Sequence, residues 1–313
     1  MRAVLPAGGL TSQEGRSMAE ITAQMVKDLR EKSGAGMMDC KKALGETGGD
    51  MEKAMVLLRE RGAAIASKRS SRATKEGLVA VHITNGRKKG ALVELNCESD
   101  FVARNDEFKK LVQDLAELTT VVADPSQLPE SKTASGLSVA DTVQGIIGKI
   151  GENIVLTRWT VLACGDKGYC FSYVHPPGRI GVLVEVETSK TDLADNAEFR
   201  DFARDIAMHI AATAPTCVGR SEVPADMLNQ EREIFRKQAL NEGKPEKVVE
   251  KIVEGRVQKF YAEVVLLEQP FAKNPDQKVS DFVKQNAAKF GEDLAVKQFL
   301  RWKLGEKSEA AQE

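Results

Sequence analysis

One pattern, two alternating apolar runs joined by a tight turn and followed by an amphipathic helix, occurs twice in this chain. A duplicated unit limits the fold more than any single motif can. "VHITNGRKKGALVEL" at 81–95 is echoed by "VHPPGRIGVLVEV" at 174–186, and "NDEFKKLVQDLAEL" at 105–118 by "NAEFRDFARDIAMH" at 196–209. In the first copy, "GLVAVHIT" and "GALVELNCE" alternate with period two around Asn85-Gly86, which predicts a hairpin. Phe108, Leu111, Val112, Leu115 and Leu118 then share one side of a helix predicted from about Asn105 to Val122. Two β-hairpin-plus-helix subdomains should pack together as one α+β core.

A chain of 313 residues exceeds one comfortable core, and patterned sequence flanks the duplication on both sides. Between Ile21 and Arg69 the apolar spacing predicts three short helices, the third capped by Asp50 and stopped at Gly62. The basic stretch "ASKRSSR" after it reads as a solvated linker, because no aromatic residues interleave with the charges. Ser138 with Asp141 can cap a further helix to Ile150. From about Pro224 to Leu267 the chain is helical and highly charged, broken at "NEGKP", which predicts an antiparallel hairpin of two helices whose apolar positions Ile234, Leu240, Val248, Ile252 and Val257 are sparse enough for a protruding coiled-coil-like arm. A helix near 279–290 and a strand in "AVKQFLRWKL" follow. The expected division is a multidomain one: 18–70 helical, 71–158 the first core subdomain, 159–222 with 268–306 the second, 223–267 an arm inserted in it, and 307–313 a polar tail. Residues 1–17 lack periodicity and are expected to lie upstream of the true start at Met18, since Gln13-Glu14-Gly15 can be encoded by a purine-rich ribosome-binding sequence.

Composition excludes several classes of function. The 45 basic and 46 acidic side chains nearly cancel, so nothing in the net charge steers the molecule toward nucleic acid or an anionic membrane. No window approaches the roughly 18 uninterrupted apolar residues of a membrane span. Cys40, Cys97, Cys164, Cys170 and Cys217 are scattered and odd in number, without the close pairs of a zinc or dithiol site. A reducing cytoplasm suits them. There is no phosphate loop, and the glycines at 145, 148 and 151 fall inside or after a helix, where they read as packing. Of His82, His175 and His209, the first two fall at what read as matching strand positions of the repeat, a structural role. No cofactor and no metal is expected.

What remains is an asymmetry. An offset of 91 residues carries Phe108 onto Phe199, and the same offset carries Asp100-Phe101 onto Thr191-Asp192. The scaffold repeats, but the aromatic ring at the strand-to-helix corner does not. A phenylalanine beside an acid at such a corner can project toward a partner; plugging the seam between subdomains is the competing role. A passive binding platform and a cysteine-dependent enzyme using Cys97 are the rival classes of function.

From Met18 to about Gly305 the chain resembles bacterial translation elongation factor Ts. "AEITAQMVKDLREKSGAGMMDCKKAL", "NCESDFVARNDEF", "VHPPGRIGVLVEV" and "GKPEKVVEKIVEGRVQKF" followed by "EQPF" carry the likeness, in the family's order. The resemblance implies a guanine-nucleotide exchange factor, without covalent chemistry of its own, that binds elongation factor Tu in its GDP-bound and nucleotide-free states. It implies an N-terminal three-helix module similar to a ubiquitin-associated domain, with Met37, Met38 and His175 as further partner-binding residues. It also assigns the family's Thr-Asp-Phe-Val motif to Ser99, Asp100, Phe101 and Val102, the ring wedging between helices of Tu and the acid disturbing the shell that holds Mg²⁺. Ser99 stands in place of the threonine and keeps its hydroxyl, and Pro176 and Pro177 stand where relatives often have glycines. The family's further C-terminal helix is expected to be lacking after "GEKSEAAQE". A homodimer, or a dimer of heterodimers with Tu, is left open.

Overall fold

The computed structural model describes residues 21–306; the predicted upstream segment 1–17 and the polar tail 307–313 lie outside the described residues. In chain order the elements are α1 (Ala23–Ser33), α2 (Met37–Glu46), α3 (Met51–Arg69), β1 (Glu76–Ile83), β2 (Lys89–Cys97), the short α4 (Asp100–Arg104), α5 (Asp106–Val121), α6 (Val139–Ile150), β3 (Ile154–Ala163), β4 (Gly168–His175), β5 (Ile180–Thr188), α7 (Ala197–Thr213), α8 (Ala225–Asn241), α9 (Glu246–Val264), β6 (Pro270–Phe271), β7 (Asn274–Lys278), α10 (Val279–Phe290) and β8 (Leu294–Lys303). The chain divides into two compact units, one made of the chain up to Lys68 with Gln144–Gly151, the other of Arg69–Val143 and everything from Glu152 onward.

In the first unit, Val26, Leu29, Cys40, Ala43, Leu44 and Ala54 form a small core. Asp50 caps α3 as expected, its carboxylate accepting the Lys53 amide at 3.0 Å. Gly62 does not stop that helix, which continues to Arg69. The reason is tertiary: a Cβ on Gly148 of α6 would lie 3.1 Å from the Gly62 Cα, so paired glycines permit a helix crossing that outweighs the propensity penalty of about 1 kcal/mol.

The second unit holds the duplication. Antiparallel sheets run in the orders β1-β2-β3 and β4-β5-β8, and each repeat's helix, α5 or α7, packs on its own hairpin. The third strand of the first sheet, β3, pairs with β2 from Ile154 to Ala163 and so carries that subdomain past the boundary expected at 158. The 91-residue offset holds in atomic detail. The ladder slips at Glu94/Leu95 in one sheet and at Glu185/Val186 in the other, and Asn105 and Asn196 each cap the following helix with their side chains. The hairpin turns match as well, with positive φ at Arg87 (53°) and at Gly178 (112°). This register overturns the pairing of His82 with His175: His82 faces Ala91, Tyr173 faces Val182, and the offset therefore sets His82 against Tyr173, leaving His175 opposite Thr84.

The two-helix arm forms from α8 and α9, with Pro224 and Pro245 at the helix starts and Gly243 left-handed between them. Its seam is Ala239, Val249, Val253 and Val257, flanked by Leu228, Phe235, Ile252 and Tyr261. Of the five sparse apolar positions, Val257 lies in this seam and Ile252 beside it, whereas Ile234, Leu240 and Val248 face solvent. Among the described residues no helix is long and apolar enough to cross a membrane.

Candidate functional site

At the end of β2 the chain turns directly into the five-residue α4. Ser99 is its N-cap, the hydroxyl oxygen accepting the Val102 amide at 3.4 Å. Val102 and Ala103 bury their side chains, so Val102 is the anchor of the turn and not a contact surface. Phe101 points the other way and is 80% exposed, which removes the seam-plug role. Leaving such a ring in water forgoes roughly 2 kcal/mol of burial, and a partner that covers it recovers that amount. Beside it, Asp100 is half exposed and pairs with Arg104 at 2.9 Å one turn on. An exposed pair of this kind contributes about 0–1 kcal/mol, so the carboxylate is cheaply released to another partner.

The corner is gripped from behind. Both Ser99 donors go to one carboxylate, the amide to Glu152 Oε2 at 3.0 Å and the hydroxyl to Oε1 at 2.6 Å. Glu98 accepts the Asn153 amide at 2.7 Å and pairs with Arg72 and Arg69 at 3.3 and 3.6 Å. The Asn153 amide chiefly, with Arg72 and Arg69, holds the Glu98 carboxyl below the usual range. The "ASKRSSR" stretch is therefore no simple solvated linker: part of it is helix, and two of its arginines dock at this corner. Sequence reasoning missed Glu98, Glu152 and Asn153, because their partners lie 26 or more residues away and no local pattern marks them.

The other expected residues lie elsewhere. Met37 and Met38 occupy the first turn of α2, in the first unit, 57% and 64% exposed. His175 ends β4 on the second hairpin, exposed, its Nδ1 3.0 Å from the Tyr173 hydroxyl, before a cis Pro176–Pro177 bond. Only Ser99–Val102 form one constellation.

Cys97 is not placed to act as a nucleophile. It is fully buried, its thiol lies 3.1 Å from the Ser99 carbonyl that accepts from it, and burial, with Glu152 and Glu76 adding, pushes its pKa up to about 12. Cys164 and Cys170, with no close-pair spacing in the sequence, meet in the cluster between the two sheets, where the neighbouring thiol and burial push Cys170 up. Among the described residues no group of three or more His, Cys, Asp or Glu side chains is placed to hold a metal ion.

The family described as "Elongation factor TS" matches residues 98–306. Proteins named elongation factor Ts are similar over nearly the whole chain. That of Chloroherpeton thalassium is 46% identical over 300 residues, 93% of this chain and all of the relative. That of Prosthecochloris aestuarii is 46% identical over 293 residues, 92% of this chain and all of the relative. That of Clostridium botulinum strain Eklund 17B is 44% identical over 295 residues, 94% of this chain and 96% of the relative.

Proposed function

The chain belongs to the elongation factor Ts family, and on that premise we propose that it is a guanine-nucleotide exchange factor for elongation factor Tu, expelling GDP by inserting the Asp100–Phe101 corner beside the nucleotide. The observation that carries this reading is Phe101, 80% exposed on a turn that Val102 and Ala103 anchor in the core and Ser99 ties by hydrogen bonds to Glu152. A ring held out on a rigid corner can enter a partner without the corner first having to be ordered. Asp100, released from Arg104, brings a negative charge to the Mg²⁺ shell on Tu, where it competes for the ion's ligands and weakens the phosphate contacts. Exposed Met37 and Met38 give the first unit an apolar docking patch, and His175 offers a third contact from the second hairpin.

Exchange of this kind is linkage and not covalent chemistry. The factor binds nucleotide-free Tu better than loaded Tu, and by reciprocity it weakens GDP by the same factor. The test is release of labelled GDP from purified Tu, with and without catalytic amounts of this protein. Acceleration is expected, smaller with Asp100→Ala. The relative gain should also shrink once a chelator has stripped Mg²⁺, since the acid then has less to disturb. No acceleration refutes the function, and undiminished relative acceleration in chelator refutes the magnesium route.

A further inference from the structure

We propose that Glu152, with the Glu98–Asn153 latch beside it, is a positioning residue for exchange: it sets the direction in which Phe101 projects. The inference rests on the exchange reading and extends it to residues outside the Ser99–Val102 stretch. A helix of one turn has too few internal bonds to hold its own direction, so the orientation of α4 depends on what grips its first residue. That grip is one carboxylate. Glu152 takes both Ser99 donors, which fixes the rotamer of the capping side chain and turns its lone pair toward the Val102 amide. The Ser99 carbonyl accepts the Ala103 amide at 3.3 Å and the Cys97 thiol at 3.1 Å, which ties the capping residue to the turn and to the end of β2.

The chain passes into this unit twice, at Arg69 and at Glu152, and each time it is tied at once to the pair Glu98 and Ser99. Arg69 and Arg72 reach Glu98, the Asn153 side-chain amide donates to the Arg72 carbonyl at 2.9 Å, and Glu152 holds Ser99. The other corner is held differently: Glu292 accepts the Ser189 hydroxyl and pairs with the Lys190 ammonium at 3.4 Å. There the capping position is Lys190, which makes no side-chain cap and sends its ammonium to the Phe290 carbonyl at 3.2 Å. The two-donor grip on the capping residue itself occurs where the exposed ring is, whereas at the corner that presents Asp192 the Lys190 amide goes to the Thr188 hydroxyl at 3.2 Å.

The test is a double-mutant cycle read by GDP release from Tu. Glu152→Gln keeps the shape but offers an N–H₂ to one Ser99 donor, so the two-point grip is lost. It should lower the maximal release rate about tenfold while changing the half-saturating concentration of Tu·GDP less than about twofold, because misdirection of the ring acts in the exchange step. In a Phe101→Ala background the same change should cost less than about twofold. Arg72→Met, which loosens only the latch, should give a smaller loss with the same dependence on Phe101. Amide hydrogen exchange at Ser99 and Val102 of the free protein should speed up in Glu152→Gln, a readout that does not depend on Tu. An unchanged release rate in Glu152→Gln, an equal loss with and without Phe101, or unchanged protection at Ser99 and Val102 would each overturn the proposal. Failure of the unmutated protein to release GDP would instead overturn the exchange reading and leave the hydrogen-exchange test of the clamp standing.

Discussion

The corners that follow β2 and β5 are built alike and present different chemistry. Each tucks two small or aliphatic residues inward, Val102 and Ala103 in the first repeat, Leu193 and Ala194 in the second. Each leaves the residue before that pair in water, and there the copies part: the outward residue is Phe101 in one and Asp192 in the other. The first corner is a helical turn capped by a serine that a glutamate holds, whereas the second is a 3₁₀ turn, Thr191–Asp195, without a side-chain cap. The likeness between the copies thus follows the inward residues, and the proposed exchange role rests on the outward one. Duplication supplies two projecting positions, and only one carries a side chain that gains by leaving water.

The largest expected effects test whether the scaffolds really match. Phe108 and Phe199 are both fully buried, so Phe108→Ala and Phe199→Ala should each cost about 4 kcal/mol in denaturant unfolding. The loss should be greater at Phe199, whose ring meets Phe171, Phe202 and Phe290 with centroids 5.6–5.8 Å away. A small loss at Phe108 would mean that the first core is not packed as the second is.

A buried glutamate sits at the matching ladder slip of each sheet, and the pair sharpens the comparison. Glu94 pairs with Arg158 at 2.7 Å, whereas Glu185 is held by the Gln298 side-chain amide and the Gly165 amide, without an ion-pair partner among the described residues. Glu94→Gln strands a largely buried guanidinium and should cost about 3 kcal/mol. Glu185→Gln strands no charge and should cost about 1 kcal/mol or less. Equal losses in thermal unfolding would show that the Arg158 contact adds nothing.

Acid should separate the repeats by a smaller margin. His209 of α7 is buried, its Nδ1 accepting the Ala272 amide while Nε2 faces the Gln269 side-chain oxygen, an arrangement for the neutral ring; the offset sets Leu118 opposite it. Burial lowers the His209 pKa, so the unfolded chain binds the extra proton first. Stability that is full above the unfolded value of about 6.5 is then lost as pH falls through the folded one. Amides of α7 should lose hydrogen-exchange protection between pH 7 and 5 while those of α5 keep theirs, and the contrast should vanish in His209→Leu.

What the sequence made legible was local or periodic. The hairpins and the Asp50 cap follow from neighbours within a few residues, and the Asp-Phe pair stands out against the copy at a fixed offset of 91 residues. What it hid depended on distant partners. Gly62 read as a helix stop because the facing Gly148 lies in another helix. The histidines were paired by a shared Val-His, while the true register follows the positive-φ turn residues Arg87 and Gly178. In the arm a sparse apolar pattern fits more than one face of a helix, and only packing selects Val249 and Val253 over Ile234 and Val248. At the corner, Asp100 and Phe101 stood out in the sequence and Glu152, which holds Ser99, did not.

The most direct test of the account sets the two outward residues against each other. GDP release from Tu would be timed at saturating concentrations of the unmutated protein, of Phe101→Ala and of Asp192→Ala, with thermal unfolding of each as the control for folding. Loss of the ring should slow release by about thirtyfold, the equivalent of about 2 kcal/mol in the exchange transition state, with little change in unfolding temperature because the side chain is exposed. Asp192→Ala should release GDP as fast as the unmutated protein. Equal slowing by both substitutions, or none by Phe101→Ala, would contradict the claim that one corner of the duplicated pair carries the function.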